Sequence, residues 1–375
     1  METIHELVML VPGMARSERE RYGTRLSDGI EGFLETRRES VESFRRLVSD
    51  SSGRTQFDIK LRNGQHKLVE VAEIFWNDLR PPLDRSRIPL LGYSLVRYWL
   101  SLKQWKDIPQ TSRPLQRAFC VGVSFLLLWY VLTMLAILHF TQLLPLFVTK
   151  HGESPIGWLW VGATGLLATG FVTSSIDASY AAFCYLKNRE RFCDRVRRRV
   201  VNAFRDSCAQ LANYQSITLF AHSFGSVVAV DAIAWITAEA DAASLLRPFK
   251  FITAGSPLEF VMAREKEYED RIQRCVASTL VQEWVDFYAL TDSFCSAVPF
   301  TDDMKGKRKR WHKGVELGYS EFEASLGFAH DSYFEDSTVL EAVLFGDPGS
   351  EVAADRPPVF GAEAAEVAPG NAREG

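Results

Sequence analysis

The stretch SITLFAHSFGSVVAVDAIAWI, residues 216–236, carries a serine where an apolar, β-branched run gives way to a small-residue helical pattern. Ser223 is flanked by Ala221 two places before and Gly225 two places after, small enough for strand and helix to close up and lift the hydroxyl clear of the backbone. Such a hydroxyl can attack a carbonyl once a base takes its proton, and the base in turn needs an acid to hold its tautomer. The chain's histidines and carboxylates are therefore of interest. His312 lies in the basic run KGKRKRWHKG, and His330 in GFAHDSYFEDSTVLEAVLF, ahead of a final helical pattern. Asp286 falls within the strand-like run EWVDFYAL, Asp292 just past it, and Asp302 and Asp303 in a polar turn farther on. His5 and His66 precede the serine, and His222 adjoins it and points elsewhere on the turn.

The elements that must position these groups can be read from the hydrophobic pattern. ELVMLV is a candidate first core strand, followed by a loop at Pro12 and Gly13 and a charged helical region to about Asp50. TQFDIKLRNGQHKLVEVAEIF alternates on both sides of Asn63-Gly64 and predicts a β-hairpin. A long helical pattern runs from about Ala178 to Asn213. Then come strand SITLFA, helix SVVAVDAIAWITAE, strand FKFITAG, a helical stretch and strand EWVDFYAL. Strands alternating with helices predict an α/β fold with a mostly parallel sheet covered on both faces.

With Ala221 in place of a first glycine, AHSFG has the shape of G-x-S-x-G, and here the chain resembles the α/β-hydrolase superfamily, in particular its lipase- and esterase-like serine hydrolases. The resemblance implies a chain order of serine, acid, histidine, hence Ser223 as nucleophile, Asp292 as acid and His330 as base. It also implies an oxyanion hole built from the Phe224 amide and from a loop after an early strand. MLVPGMA supplies that loop, with Met14 as donor and Gly13 allowing close approach, although Pro12 stands where the family's loop has histidine. No metal or organic cofactor is required by this chemistry.

Two apolar segments bear on location. Residues 118–149 contain no Asp, Glu, Lys or Arg, and residues 154–176 are also uncharged, with tryptophans at one end and glycines inside. Each is long enough to predict a membrane-spanning helix. The short link between them carries His151, and His139 falls in the first segment. Basic flanks (Arg97, Lys103, Lys106, Arg113 and Arg117 before; Lys187, Arg189, Arg191, Arg195 and Arg197 to Arg199 after) predict an integral membrane protein with the hairpin turn outside and both termini and the catalytic domain cytoplasmic. The expected organisation is residues 1–85 as the first part of the hydrolase domain, 86–117 as an interfacial amphipathic helix, 118–180 as a transmembrane hairpin, 181–346 as the second part of the domain and 347–375 as a disordered tail. Gly162, Gly165 and Gly170 would permit close helix packing into a homo-oligomer.

The 375 residues carry a net charge of −4, with no global basic excess to suggest nucleic-acid binding, and show no P-loop, GxGxxG or metal-ligand spacing. The six cysteines show no CxxC spacing or paired framework and read as reduced structural thiols. The expected function is that of a membrane-anchored serine hydrolase cleaving an ester, most plausibly of an acyl lipid, with membrane lipid as its partner. The alternative is a hydrolase-like membrane scaffold, or a membrane-perturbing effector, whose pocket is inactive or used for sensing.

Overall fold

The computed structural model describes residues 3–49, 54–82, 170–209, 214–239, 247–300 except 293, 310–314 and 328–346, with scattered helical positions between 120 and 135. Its centre is an eight-stranded sheet. The strands are β1 Thr3–Val11, β2 Val41–Ser49, β3 Arg54–Leu61, β4 His66–Glu73, β5 Ser216–His222, β6 Phe249–Ala254, β7 Val281–Tyr288 and β8 Arg310–Gly314. Their order is β2-β3-β4-β1-β5-β6-β7-β8, and from β4 to β8 every neighbouring pair is parallel. Only the β2-β3 and β3-β4 pairs are antiparallel. The predicted α/β class with a mostly parallel sheet is what the chain adopts.

Helices cover both faces. α1 (Arg21–Thr36) and the last helix, α7 (Ser337–Phe345), bury Leu26, Ile30, Phe33, Leu340 and Val343 against Val8, Leu10, Phe220 and Ile252. On the other face α2 (Gly170–Leu186), α3 (Phe192–Ala209), α4 (Gly225–Ala238) and α6 (Glu267–Ala277) pack on Leu7, Met9, Ile217, Leu219 and Phe251. Alternate residues of β1 thus serve opposite cores, as the two-residue period of a strand requires. α4 is apolar almost all round because it lies at the centre of its layer. A short α5 (Leu258–Arg264) precedes α6.

Two local expectations are corrected. The charged region before Asp50 is helical only through Thr36, and residues 41–49 form the edge strand β2. Its charges are satisfied sideways: Arg46 reaches Asp28 and Glu31 of α1, both at 2.7 Å. The long helix expected over 178–213 is two helices, broken where Asn188 (φ 46°) and Glu190 (φ 54°) turn left-handed. Asn is among the residues that tolerate this conformation, and the Asn188 side chain accepts from the Asp194 amide at 3.3 Å. Part of the basic run around His312 is strand β8, paired with β7.

The membrane expectation is overturned. Among the described residues no helix is long and apolar enough to cross a membrane, so the integral membrane protein with two spans and a cytoplasmic catalytic domain is withdrawn, and with it the homo-oligomer through transmembrane helices. α2, which takes up the last residues of the second apolar segment, has 17 residues, and beyond that segment its Ala181, Cys184, Tyr185 and Leu186 are buried in the sheet's own core. The basic residues after it are likewise held by the protein: Arg197 donates to Asp231 at 2.8 Å, and Arg199 to the Phe75 carbonyl at 3.1 Å. The predicted interfacial helix 86–117, most of the two apolar segments and the tail 347–375 lie outside the described residues.

Candidate active site

The carboxyl ends of β1, β5, β6 and β7 converge at Ser223. β5 stops at His222, and Ser223 then adopts φ 56°, a left-handed conformation that a non-glycine residue holds only at a cost of about 1–3 kcal/mol. The turn is locked by its neighbours: the Ser223 amide donates to the Ala254 carbonyl of β6 at 2.9 Å. Gly225 is required by contact, since a Cβ there would meet the carbonyl oxygens of Val11 and Pro12, the latter at 2.7 Å. A glycine at this position lets the loop after β1 lie directly on the first turn of α4.

The three residues named from the sequence meet. The Ser223 hydroxyl lies 2.7 Å from His330 Nε2, while His330 Nδ1 lies 2.9 Å from Asp292 Oδ2 and 3.1 Å from Oδ1. Because a carboxylate only accepts, Nδ1 carries the ring proton and Nε2 is left as the acceptor for the serine hydroxyl. Asp292 is fully buried, yet the Phe294 amide donates to Oδ1 at 2.9 Å and the Tyr333 hydroxyl to Oδ2 at 3.0 Å. Burial works against its charge, but the facing His330 and these hydrogen bonds outweigh that and hold its pKa below the ordinary aspartate value. Burial likewise opposes a charged His330, and the adjacent Asp292 carboxylate overcomes it, so the imidazole pKa is raised.

The neighbouring alternatives do different work. Asp286, on β7, accepts from the Thr253 hydroxyl at 2.6 Å and the Val298 amide at 2.8 Å, away from the imidazole. His5 accompanies the start of β1, at the opposite end of the sheet. His66 begins β4 and binds Thr3 and Asp58. His312 is on β8, in register with Asp286, and Asp302 and Asp303 lie outside the described residues.

The loop named for the oxyanion site lies against Ser223 at Gly13. Gly13 presses on the nucleophile so closely that a Cβ would stand 2.8 Å from the Ser223 Cβ and 3.1 Å from its Oγ. Among the described residues neither the Met14 nor the Phe224 amide donates to a protein acceptor, so both remain available to a ligand oxygen. α4 begins at Gly225, and the positive end of its dipole adds to the same spot. Pro12, in the place of the family's histidine, is no obstacle. Its carbonyl turns away and accepts from the Trp76 indole at 3.1 Å.

Several contributors were not visible in the sequence. Trp76 anchors the loop after β1, and Tyr333 grips the acid while accepting from the Ala289 amide at 3.0 Å. Tyr185 sets its ring edge-on to Phe224, with centroids 5.5 Å apart, and donates its hydroxyl to the buried Asp231 at 3.0 Å. The only sequence signal for them was an aromatic residue in an otherwise mixed stretch. Among the described residues no group of three or more His, Cys, Asp or Glu could hold a metal ion. The arrangement joins a serine hydroxyl, an imidazole and a buried carboxylate in one chain of hydrogen bonds beside Gly13. Comparisons with protein-family models, curated proteins and solved structures returned no significant match to this chain.

Proposed function

We propose that this chain is a serine hydrolase of the α/β-hydrolase type that cleaves an ester bond through an acyl-enzyme. The observation that carries the reading is the continuous chain of hydrogen bonds from Ser223 Oγ through His330 to a buried Asp292. In this mechanism His330 Nε2 takes the Ser223 proton as the oxygen attacks the ester carbonyl. The carbonyl electron pair moves onto oxygen, where the Phe224 and Met14 amides receive it. His330 returns the proton to the departing alcohol as the C–O bond breaks. Water then enters along the same path, gives a proton to His330 and releases the acid with Ser223 restored.

The acyl part is assigned an apolar chain. Phe294 stands edge-on to the His330 ring, with centroids 5.4 Å apart, and Leu290 on the same acid loop is exposed. Neither side chain hydrogen-bonds to the triad, and both suit an aliphatic neighbour.

The test is covalent labelling with a fluorophosphonate probe, which reports an activated serine without a known substrate. Wild type should label and Ser223→Ala should not. Equal labelling of the two proteins would refute the proposal, and an unlabelled wild type would favour the scaffold alternative. A series of p-nitrophenyl esters from acetate to decanoate should then show kcat/KM rising with chain length.

A further inference from the structure

His222 precedes the nucleophile, and its side chain does not leave the site. The ring is buried beneath His330, centroids 4.9 Å apart and planes tilted by 43°, with Phe334 at 4.7 Å on another side. Its Nε2 lies 2.8 Å from the backbone carbonyl oxygen of His330. A carbonyl can only accept, so Nε2 bears the proton. Nδ1 is then a bare acceptor, and it is buried without a hydrogen-bond partner.

Resting on the hydrolase reading of this site, we propose that His222 is the positioning residue of the base: its Nε2–H grips the His330 carbonyl and holds that imidazole over Ser223. Residues 108 apart in sequence are tied here by one hydrogen bond. The chain that carries the base, the 3-10 segment Phe328–Phe334, thereby becomes registered to the same turn that carries the nucleophile. His330 is held at its ring by Ser223 and Asp292, and at its backbone by His222.

The role requires His222 to stay neutral. A second proton would have to sit on Nδ1, where no acceptor waits, and would place a cation against the imidazolium formed during attack. Burial first, and then the charge of His330, push the His222 pKa down to about 4. Facing it are His330, Asp331 and Tyr333 from Phe328–Phe334, Tyr22 from α1, and Asp292; the charge of Asp331 is itself met by Arg25 at 2.6 Å. The carboxylates favour a charged His222 but do not offset burial.

The experiment uses the 15N-labelled full chain and records long-range proton–nitrogen spectra of the histidine rings from pH 5 to 9, together with fluorophosphonate labelling rates and p-nitrophenyl ester kinetics. In wild type, His222 should remain a neutral Nε2–H tautomer throughout, while His330 titrates alone and the acid limb of kcat/KM follows a single proton. His222→Asn, whose amide is too short to reach the carbonyl, and His222→Leu should label and turn over about tenfold or more slowly, with KM within about twofold. His222→Gln, which carries an N–H near the Nε2 position, should recover most of the rate. An Nδ1–H or charged His222, or a folded Asn or Leu variant that labels at the wild-type rate, would overturn the proposal. If wild-type Ser223 does not react at all, the hydrolase reading falls, and the His222 tautomer still decides whether the contact with His330 exists. If the Leu variant does not fold, the Asn and Gln pair gives the same comparison.

Discussion

The indole nitrogen of Trp76 lies 3.1 Å from the carbonyl oxygen of Pro12, and this contact fixes the loop after β1, whose Gly13 lies against Ser223. With the Pro12 carbonyl turned onto Trp76, Gly13 comes against Ser223 and the Met14 amide follows it. Replacing Trp76 by Phe keeps most of the buried ring but leaves that carbonyl unpaired, at a cost of about 1–3 kcal/mol. If the loop then shifts and one oxyanion donor is lost, kcat should fall by roughly a hundredfold. Urea unfolding and ester kinetics on the one variant separate the two effects. Full activity in a destabilised Trp76→Phe protein would remove the loop from the mechanism.

Gly13 gives a more local prediction. An alanine Cβ 2.8 Å from the Ser223 Cβ cannot be accommodated without moving the serine or the loop, so Gly13→Ala should slow labelling at least about tenfold. Gly225→Ala meets backbone carbonyls instead of a side chain and should destabilise the fold by about 3 kcal/mol. Thermal melts and labelling rates on the pair distinguish a site glycine from a packing glycine. The prediction fails if both variants show the same balance of losses.

The base sets the pH response. His330 must be neutral to take a proton, and its pKa is raised because the Asp292 carboxylate outweighs burial. Activity should therefore fall as pH drops, with a midpoint above about 6.5, the ordinary histidine value. Asp292→Asn removes the raising charge, so the midpoint should move down, and with the tautomer no longer enforced kcat should drop by roughly a thousandfold or more. Sign follows from the same charges: the raised His330 pKa contributes stability below about 6.5, and that contribution is lost as pH rises through the folded value. A pH–rate profile with an unshifted acid limb in Asp292→Asn would show that some other group titrates.

How much of this was legible in the sequence depended on whether a residue's role is local. Ser223 with Ala221 and Gly225, and the hairpin at Asn63-Gly64, are written in short stretches because the turn itself demands those residue types. Asp292 and His330 could be named from the chain order that the motif's resemblance implies, since Asp292 follows the strand EWVDFYAL and His330 precedes the last helical pattern. β2 could not, because as an edge strand it has a largely exposed, charged surface over its described side chains, with Val41 buried at its start. The second apolar segment read as a membrane span because an uncharged run of that length has the composition of one, and composition alone does not tell where a helix such as α2 begins and ends. Tyr333, Trp76 and His222 act across 41, 64 and 108 residues of sequence, and only the folded sheet brings them to their partners.

Tyr333 makes that last point testable. Its hydroxyl donates to Asp292 Oδ2 and accepts from the Ala289 amide, so Tyr333→Phe leaves a buried amide unpaired and takes one donor from the buried carboxylate. Stability should fall by about 1–3 kcal/mol. With a donor gone the Asp292 pKa rises, His330 is held less firmly, and kcat should decrease severalfold with little change in KM. An unchanged kcat in the folded variant would make the tyrosine purely structural.

Asp286 provides a stability prediction that does not involve the reaction. It is fully buried, accepts from Thr253 and Val298, and forms no ion pair among the described residues. Burial pushes its pKa up to about 7, the two hydrogen bonds offsetting only part of the cost of ionising it. In the unfolded chain the same group loses its proton near an ordinary value of about 3.9. Between those limits this group makes the folded state bind more protons than the unfolded, so its contribution to stability is greatest below about pH 4 and declines as pH rises to about 7. Asp286→Asn cannot ionise and should flatten this slope, even though its amide can satisfy only one of the two donors and costs about 1 kcal/mol at low pH. His330 lowers stability over part of the same range in both proteins, so the difference between their melting curves isolates Asp286. Parallel curves from pH 5 to 8 would show that Asp286 does not change its protonation on unfolding in that range.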